Sequence, residues 1–187
     1  MVKVFLLFLF CIFHQLLCIA GSCPAIVSRE QWGARNPEII DYVVFPLDIV
    51  IIQHTATDTC KSTETCKNLV RSIQNYHIDN VNFGDIGYNF LIGGDGKVYE
   101  GRGWHKQGAH LIGYNSKSVG IAFIGNFNSV LPTDAAIKAV KDLMACGVEL
   151  EELTPDYKLF GAKQLSATAS PGSELFNRMR NWDHFTE

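Results

Sequence analysis

The longest uninterrupted β-branched run lies in "DIVIIQHTA", residues 48–56, where Ile49, Val50, Ile51 and Ile52 follow one another without a polar break. Such a run predicts a strand buried on both faces. The period then changes: over residues 61–78, Cys66, Leu69, Val70, Ile73 and His77 recur at helical spacing, with Ser62 or Thr63 as candidate N-cap. "YNFLIGGDGKVYEG", residues 88–101, sets two short apolar stretches around Gly-Gly-Asp-Gly and predicts a hairpin. "SVGIAFIGNF", residues 118–127, predicts a further buried strand. A helix is expected to start near Thr133, to turn Ala136, Val140, Leu143 and Met144 inward, and to close at Gly147. "DYKLFG" predicts a last strand and "PGSELFNRMRNW" a last helix. Strands and helices intermix, so the expected fold is α/β: a single domain with a central mixed β-sheet flanked by about three helices. In such sheets sites form at strand ends and in the loops after them. His54, the neighbourhood of Tyr88 and the loop 161–172 all fall at such places.

Composition changes this picture mainly at the N-terminus. The 187 residues are 47% hydrophobic and 19% charged, ordinary values for one globular domain, and the formal net charge of −3 favours neither nucleic acid nor an anionic membrane as partner. In "MVKVFLLFLFCIFHQLLCIAGSC", Lys3 precedes an apolar run, and Cys18-Ile19-Ala20 supplies small residues before Gly21. That pattern predicts a signal peptide over residues 1–20 and a secreted, extracellular domain over 21–187. The alternative, a membrane anchor, is disfavoured by His14 and Gln15, which interrupt the run. The remaining cysteines, Cys23, Cys60, Cys66 and Cys146, admit three pairings. Cys60–Cys66 can clip a short loop, which leaves Cys23–Cys146 to tether the N-terminal arm. A zinc site is the rival reading, but there is no CxxC pair.

The chemistry is less legible. His54 follows a buried strand, where a lone histidine is more often packed than a ligand. There is no GxSxG, HExxH or P-loop. The ordered motifs carry more: "SREQWGAR", "IIQHTA", the cysteines at 60 and 66, "DIGYNFLIGGDGKVYEGRGW", "GAH" and "GYN", "SVGIAFIGNF" and "SPG". Together, over residues 24–185, they resemble the peptidoglycan recognition protein family, whose domain is similar to bacteriophage type 2 amidases. The short secreted insect receptors are the most similar members.

The resemblance implies a zinc site in the amidase members, held by a histidine after the first long strand and by a histidine and a cysteine in the late loop. His54 stands at the first position, but Ala162 and Ser170 stand at the other two. A methyl group cannot ligate zinc, and a neutral hydroxyl is far poorer than a thiolate. The implied protein is therefore no enzyme and needs no cofactor or metal. It is a receptor that binds the muramyl-peptide stem of bacterial peptidoglycan through His54, Thr55, His77, Tyr88, His110 and Asn115. Asn82 and Phe83 resemble the pair of lysine-type readers, while Arg102 resembles the arginine that accepts the extra carboxylate of diaminopimelate. Lysine-type peptidoglycan is the favoured expectation. Relatives of this kind are implied to work with a Gram-negative-binding-type protein and a modular serine protease upstream of a Toll-type cascade. The competing reading is a peptidoglycan hydrolase, either a residual amidase or a peptidase that recruits Ser170, although no histidine lies near Ser170 in sequence.

Overall fold

The computed structural model describes residues 23–187; the expected signal peptide lies outside the described residues. In chain order these form β1 (Ile26–Val27), α1 (Arg29–Trp32), β2 (Leu47–His54), α2 (Thr63–Asp79), β3 (Phe90–Ile92), β4 (Val98–Glu100), β5 (Val119–Phe123), α3 (Asp134–Glu149), β6 (Leu153–Gly161) and α4 (Ser173–Met179), with a 3-10 turn at Ala162–Gln164 between β6 and α4. The six strands make one sheet in the order β1-β4-β3-β5-β2-β6. Only the β3–β4 hairpin pairs antiparallel, so the sheet is mixed, as expected. The β-branched run is its interior strand β2, flanked by β5 and β6. Among the described residues no helix is long and apolar enough to cross a membrane.

The two faces are covered unequally. On one, α3 and α4 bring Val140, Leu143, Leu175 and Met179 against Val50, Ile52, Ile121 and Phe123. On the other, α2 and Trp32 bring Val70 and Ile73 against Leu91 of β3 and Tyr99 of β4. That helix leaves the β5–β2 part of the face to loops. Both disulfides are formed: Cys60–Cys66 clips the segment after β2 to the first turn of α2, and Cys23–Cys146 ties the N-terminal arm to α3.

Three features depart from the pattern in the sequence. Gly147 does not close α3, which runs on to Glu149 with Leu150 as C-cap. A Cβ at Gly147 would lie 2.8 Å from Trp104 Cη2 and 2.9 Å from Leu153 Cδ1. The glycine there permits close packing rather than a left-handed turn. Strand β6 begins at Leu153, ahead of "DYKLFG", because Leu153 pairs with Leu47 before a register shift. Finally, β1 and α1 were not anticipated, since two residues and four residues are too few to show a period. Helix α1 is set by a Ser28–Gln31 capping box and by Gly33 in the left-handed conformation. It makes four α-helices where about three were expected.

Candidate functional site

The loop part of the α2 face holds a groove in two bays. The larger is a cavity of about 490 Å³. Its floor and walls come from Gln53 and His54 at the end of β2, Phe83 and Tyr88 before β3, the 109–115 loop, and Ala162, Ser166, Thr168 and Ser170 after β6. The smaller is about 300 Å³ and is lined by Thr55, Thr57, Ser72, Ile73, Tyr76, His77 and Tyr88. Tyr88 is the wall they share. In the strand register Phe90 is level with Ile121 and Ile52, so Tyr88 lies before the start of β3 while His54 closes β2 at the other end. The groove thus runs along the sheet and is not confined to the strand ends, as position in the sequence suggested.

His110 enters because β5 has no side chain beneath it. A Cβ at Gly120 would come within 2.4 Å of the His110 ring, so glycine lets the imidazole lie on the sheet. Gln53 Nε2 donates to the His110 carbonyl at 3.0 Å, and Asn115 Oδ1 accepts from the backbone N–H groups of His110 and Leu111 at 2.9 and 2.8 Å. These bonds fix the loop that forms one wall. Below it, buried Asn89 accepts from Gly120 N–H and donates to the carbonyls of Gly103 and Lys106.

The groove histidines are neutral, and His77 and His54 are donors. His77 Nδ1 accepts from Gly87 N–H at 2.9 Å, so its remaining proton sits on Nε2. Burial, aided by the Arg102 charge, pushes its pKa down to about 4. His54 Nδ1 accepts from Phe127 N–H at 3.2 Å, and burial lowers its pKa also. Burial pushes His110 down to about 4, and pushes Tyr88 up to about 12. Neither bay has an Asp, Glu, Lys or Arg in its lining. The groove therefore offers hydrogen bonds and aromatic surface without charge, a match for amides and hydroxyls.

Of the residues singled out in the sequence, His54, Phe83, Tyr88, His110 and Asn115 line the larger bay, and Thr55, His77 and Tyr88 the smaller. Asn82 lines neither; it is exposed and in the left-handed conformation, φ 61°, at the bend after α2. Arg102 lines neither bay either. It is 6% exposed, and donates from Nε to the Ile86 carbonyl, from one terminal nitrogen to Gln107 and from the other to Phe83, at 2.7, 2.8 and 2.9 Å. Three carbonyls from separate segments converge on it. Gln53 was overlooked. The signal was available: one polar side chain inside an otherwise apolar buried strand.

Beside His54 in the larger bay, just past the end of β6, the strand neighbouring β2, and in the loop after it, lie Ala162 and Ser170. The Ser170 hydroxyl accepts the backbone N–H of His54 at 3.0 Å, which stitches the late loop to the end of β2. Residues 44–173 match the family model described as N-acetylmuramoyl-L-alanine amidase. A peptidoglycan recognition protein of Trichoplusia ni is 47% identical over 179 residues, covering 96% of this chain and 98% of the relative. The chain belongs to the peptidoglycan recognition protein family. The solved structure of Drosophila peptidoglycan recognition protein SA superimposes with a TM-score of 0.87 at 47% identity, covering 88% of this chain and 95% of that one. Peptidoglycan recognition protein LE, solved in complex with tracheal cytotoxin, a monomeric diaminopimelic acid-type peptidoglycan, gives a TM-score of 0.86 at 41% identity, covering 87% and 96%.

The zinc of the family's amidases does not fit the residues present here. At the three positions where the resemblance expects ligands, only His54 offers a strong donor, since Ala162 ends in a methyl and the Ser170 hydroxyl is engaged with backbone. Among the described residues no group of three or more His, Cys, Asp or Glu side chains is gathered as a metal ion requires.

Proposed function

We propose that this protein is a secreted receptor of innate immunity that binds the muramyl-peptide stem of bacterial peptidoglycan without cleaving it. The observation that carries the reading is the side of the larger bay next to His54, where Ala162 and Ser170 supply a methyl group and an engaged hydroxyl. With no metal-bound water, nothing polarises the lactyl-amide bond or attacks it. Binding remains. The Nε2–H groups of His54 and His77 donate to stem carbonyls. Phe83, Tyr88 and the exposed Ile112 supply apolar wall, and the Asn115 carboxamide holds the opposite rim.

Lysine-type stems are the preferred ligand in this reading. The extra carboxylate of diaminopimelate would meet a groove with no charged lining, and Arg102 is committed to backbone carbonyls. Leaving that carboxylate desolvated and unpaired costs about 1–3 kcal/mol or more. Asn82, exposed at the bend beside Phe83, is the rim residue nearest in sequence to accept a lysine ammonium. The bound receptor would hand its signal to a Gram-negative-binding-type protein and a modular serine protease upstream of a Toll-type cascade. Titration calorimetry of the mature protein with lysine-type and diaminopimelate-type muropeptides, alongside elemental analysis for zinc, tests this. The expected result is tighter lysine-type binding, no stoichiometric zinc and no release of stem peptide from polymer. Zinc at one equivalent with turnover would reject the receptor reading, and a tenfold diaminopimelate preference would reject the assigned ligand class.

A further inference from the structure

Outside the groove, the segment between Pro37 and Pro46 forms a ribbon with one edge filled and the other open. Val43 N–H donates to the His105 carbonyl at 3.0 Å, and Gln107 N–H donates to the Asp41 carbonyl at 2.8 Å. Tyr42 is paired with Lys106 between these two bonds. Backbone groups alternate in direction along an extended chain, so the N–H and C=O of Tyr42 and Val44 point the other way. Among the described residues neither finds a hydrogen-bond partner. The side chains of these two residues are 72% and 90% exposed. Open edges are ordinarily blunted by lysine, proline or a covering loop. Here tyrosine and valine stand at the open positions, and the ribbon is held from behind: Val43 is buried in the core, and the Phe45 ring stacks on His105 at 4.4 Å, centroid to centroid.

At the end of this edge lies a cavity of about 520 Å³, where Phe45 and Pro46 meet Leu150, Leu153 and Pro155. It shares no residue with either bay of the groove. Its only ionisable lining residues are Glu149 and Glu151, and Glu38 and Asp41 stand along the ribbon. All four are exposed, and none has an ion-pair partner among the described residues. The paired segment adds one free cation, Lys106, since His105 is engaged with Glu152 at 2.8 Å. This surface is therefore apolar, acidic and open to backbone hydrogen bonding, and its charge decides the occupant. A second copy of this chain would set the same four carboxylates against one another. An extended segment with lysine or arginine between apolar residues would pair with them instead.

We propose that the open edge at Tyr42 and Val44, together with the cavity beyond Phe45, docks an extended basic and apolar segment of a partner protein as an added strand. The proposal is independent of what the groove binds. The probe is a heptapeptide, Leu-Phe-Lys-Val-Lys-Val-Lys, blocked at both ends. Aligned antiparallel, its valines lie opposite Val44 and Tyr42, its last lysine lies opposite Asp41, and its Leu-Phe end enters the cavity. Titrated into the isotope-labelled mature protein at low ionic strength, it should shift the Tyr42 and Val44 amide resonances and slow their hydrogen exchange. Methylating the two valine nitrogens removes the peptide's donors to this edge. That change should weaken binding on the order of tenfold, the value of one or two net hydrogen bonds. Glutamate in place of the lysines should abolish binding. Val44→Lys, at an exposed position, should weaken the lysine peptide on the order of tenfold by like-charge repulsion and lost apolar contact. Absence of the Tyr42 and Val44 shifts at millimolar peptide overturns the added strand, as does equal binding of the methylated or the glutamate peptide, or of the lysine peptide to Val44→Lys. Self-association in sedimentation, with the two amides protected and no peptide present, would overturn the basic partner in favour of a second copy.

Discussion

Replacing Arg102 by methionine separates a structural guanidinium from a ligand-reading one. The side chain is 6% exposed and donates three hydrogen bonds, to the carbonyls of Ile86, Gln107 and Phe83. Those carbonyls belong to the segment that carries Phe83 and Tyr88 and to the start of the loop that carries His110. Arg102 thus holds two walls of the groove at their set distance. Hydrogen bonds from a charged donor are worth about 1.5–3 kcal/mol each when one partner is deleted, so the three sum to roughly 5–9 kcal/mol. Methionine fills most of the volume and relieves the buried cation of its desolvation, which offsets several kcal/mol. The burial that lowers the Arg102 pKa against the pull of Asp85 and Asp41 is the sign of that cost. A net loss of about 3–5 kcal/mol is expected, or a melting point lower by roughly 10 °C for a domain of this size. Arg102→Lys can restore one of the three bonds and should recover less than half of the loss. Urea unfolding followed by tryptophan fluorescence measures both variants. Binding of lysine-type and diaminopimelate-type probes by Arg102→Lys should weaken in parallel. A loss below about 1 kcal/mol, or a defect confined to diaminopimelate, would refute the argument.

Protonation gives a second check. His77 and His110 are held at about 4 when folded, below their ordinary value, so the unfolded chain binds more protons between about pH 6.5 and 4. Their contribution to stability is complete above that window, falls as pH drops through it, and levels off below; their imidazole resonances in the native protein should stay neutral down to about pH 4–5, and titration near 6.5 would contradict this. The disulfides should differ in value: with separations of 123 and 6 residues, chain-entropy arguments put Cys23–Cys146 at about 5 kcal/mol and Cys60–Cys66 at about 2. Paired alanine variants in denaturant would test that order, and a larger cost for the short loop would reverse it. The double variant Ala162→His with Ser170→Cys should give His54 two strong co-ligands and take up zinc at one equivalent by elemental analysis, while either single variant should not. Failure of the double variant would mean that the late loop does not carry these positions in ligand geometry.

Much of the frame was legible along the chain because local chemistry decided it. Ile49 to Ile52 could only be an interior strand, and Ser62 and Thr133 cap the helices that follow them. The four cysteines of the described chain paired as a short clip and a long tether. At the two late-loop positions where the resemblance expects metal ligands, Ala162 and Ser170 offer a methyl group and a hydroxyl, a property of the side chains alone. His54, Tyr88, His110 and Asn115, all present in the ordered motifs, line one bay.

What the chain could not reveal depended on segments distant in sequence meeting in space. Gly147 has the look of a helix stop, but its lack of a Cβ serves Trp104 and Leu153, and helix-ending logic sees neither. Gly120 is a gap in a strand until His110, ten residues earlier, is laid over it. Arg102 looks exposed in its own turn because charge and neighbouring glycines are local properties. Its burial is settled by carbonyls at 83, 86 and 107, which converge only when the hairpin, the bend after α2 and the loop before β5 are packed. The division of the groove into two bays is likewise invisible in any one motif, since Tyr88 and His77 belong to different elements and become a partition only where their rings stand side by side. Apolar periodicity and caps act over a few residues and are written in the sequence. Hydrogen-bond satisfaction and ring packing act between elements, and the tertiary structure alone assigned those partners.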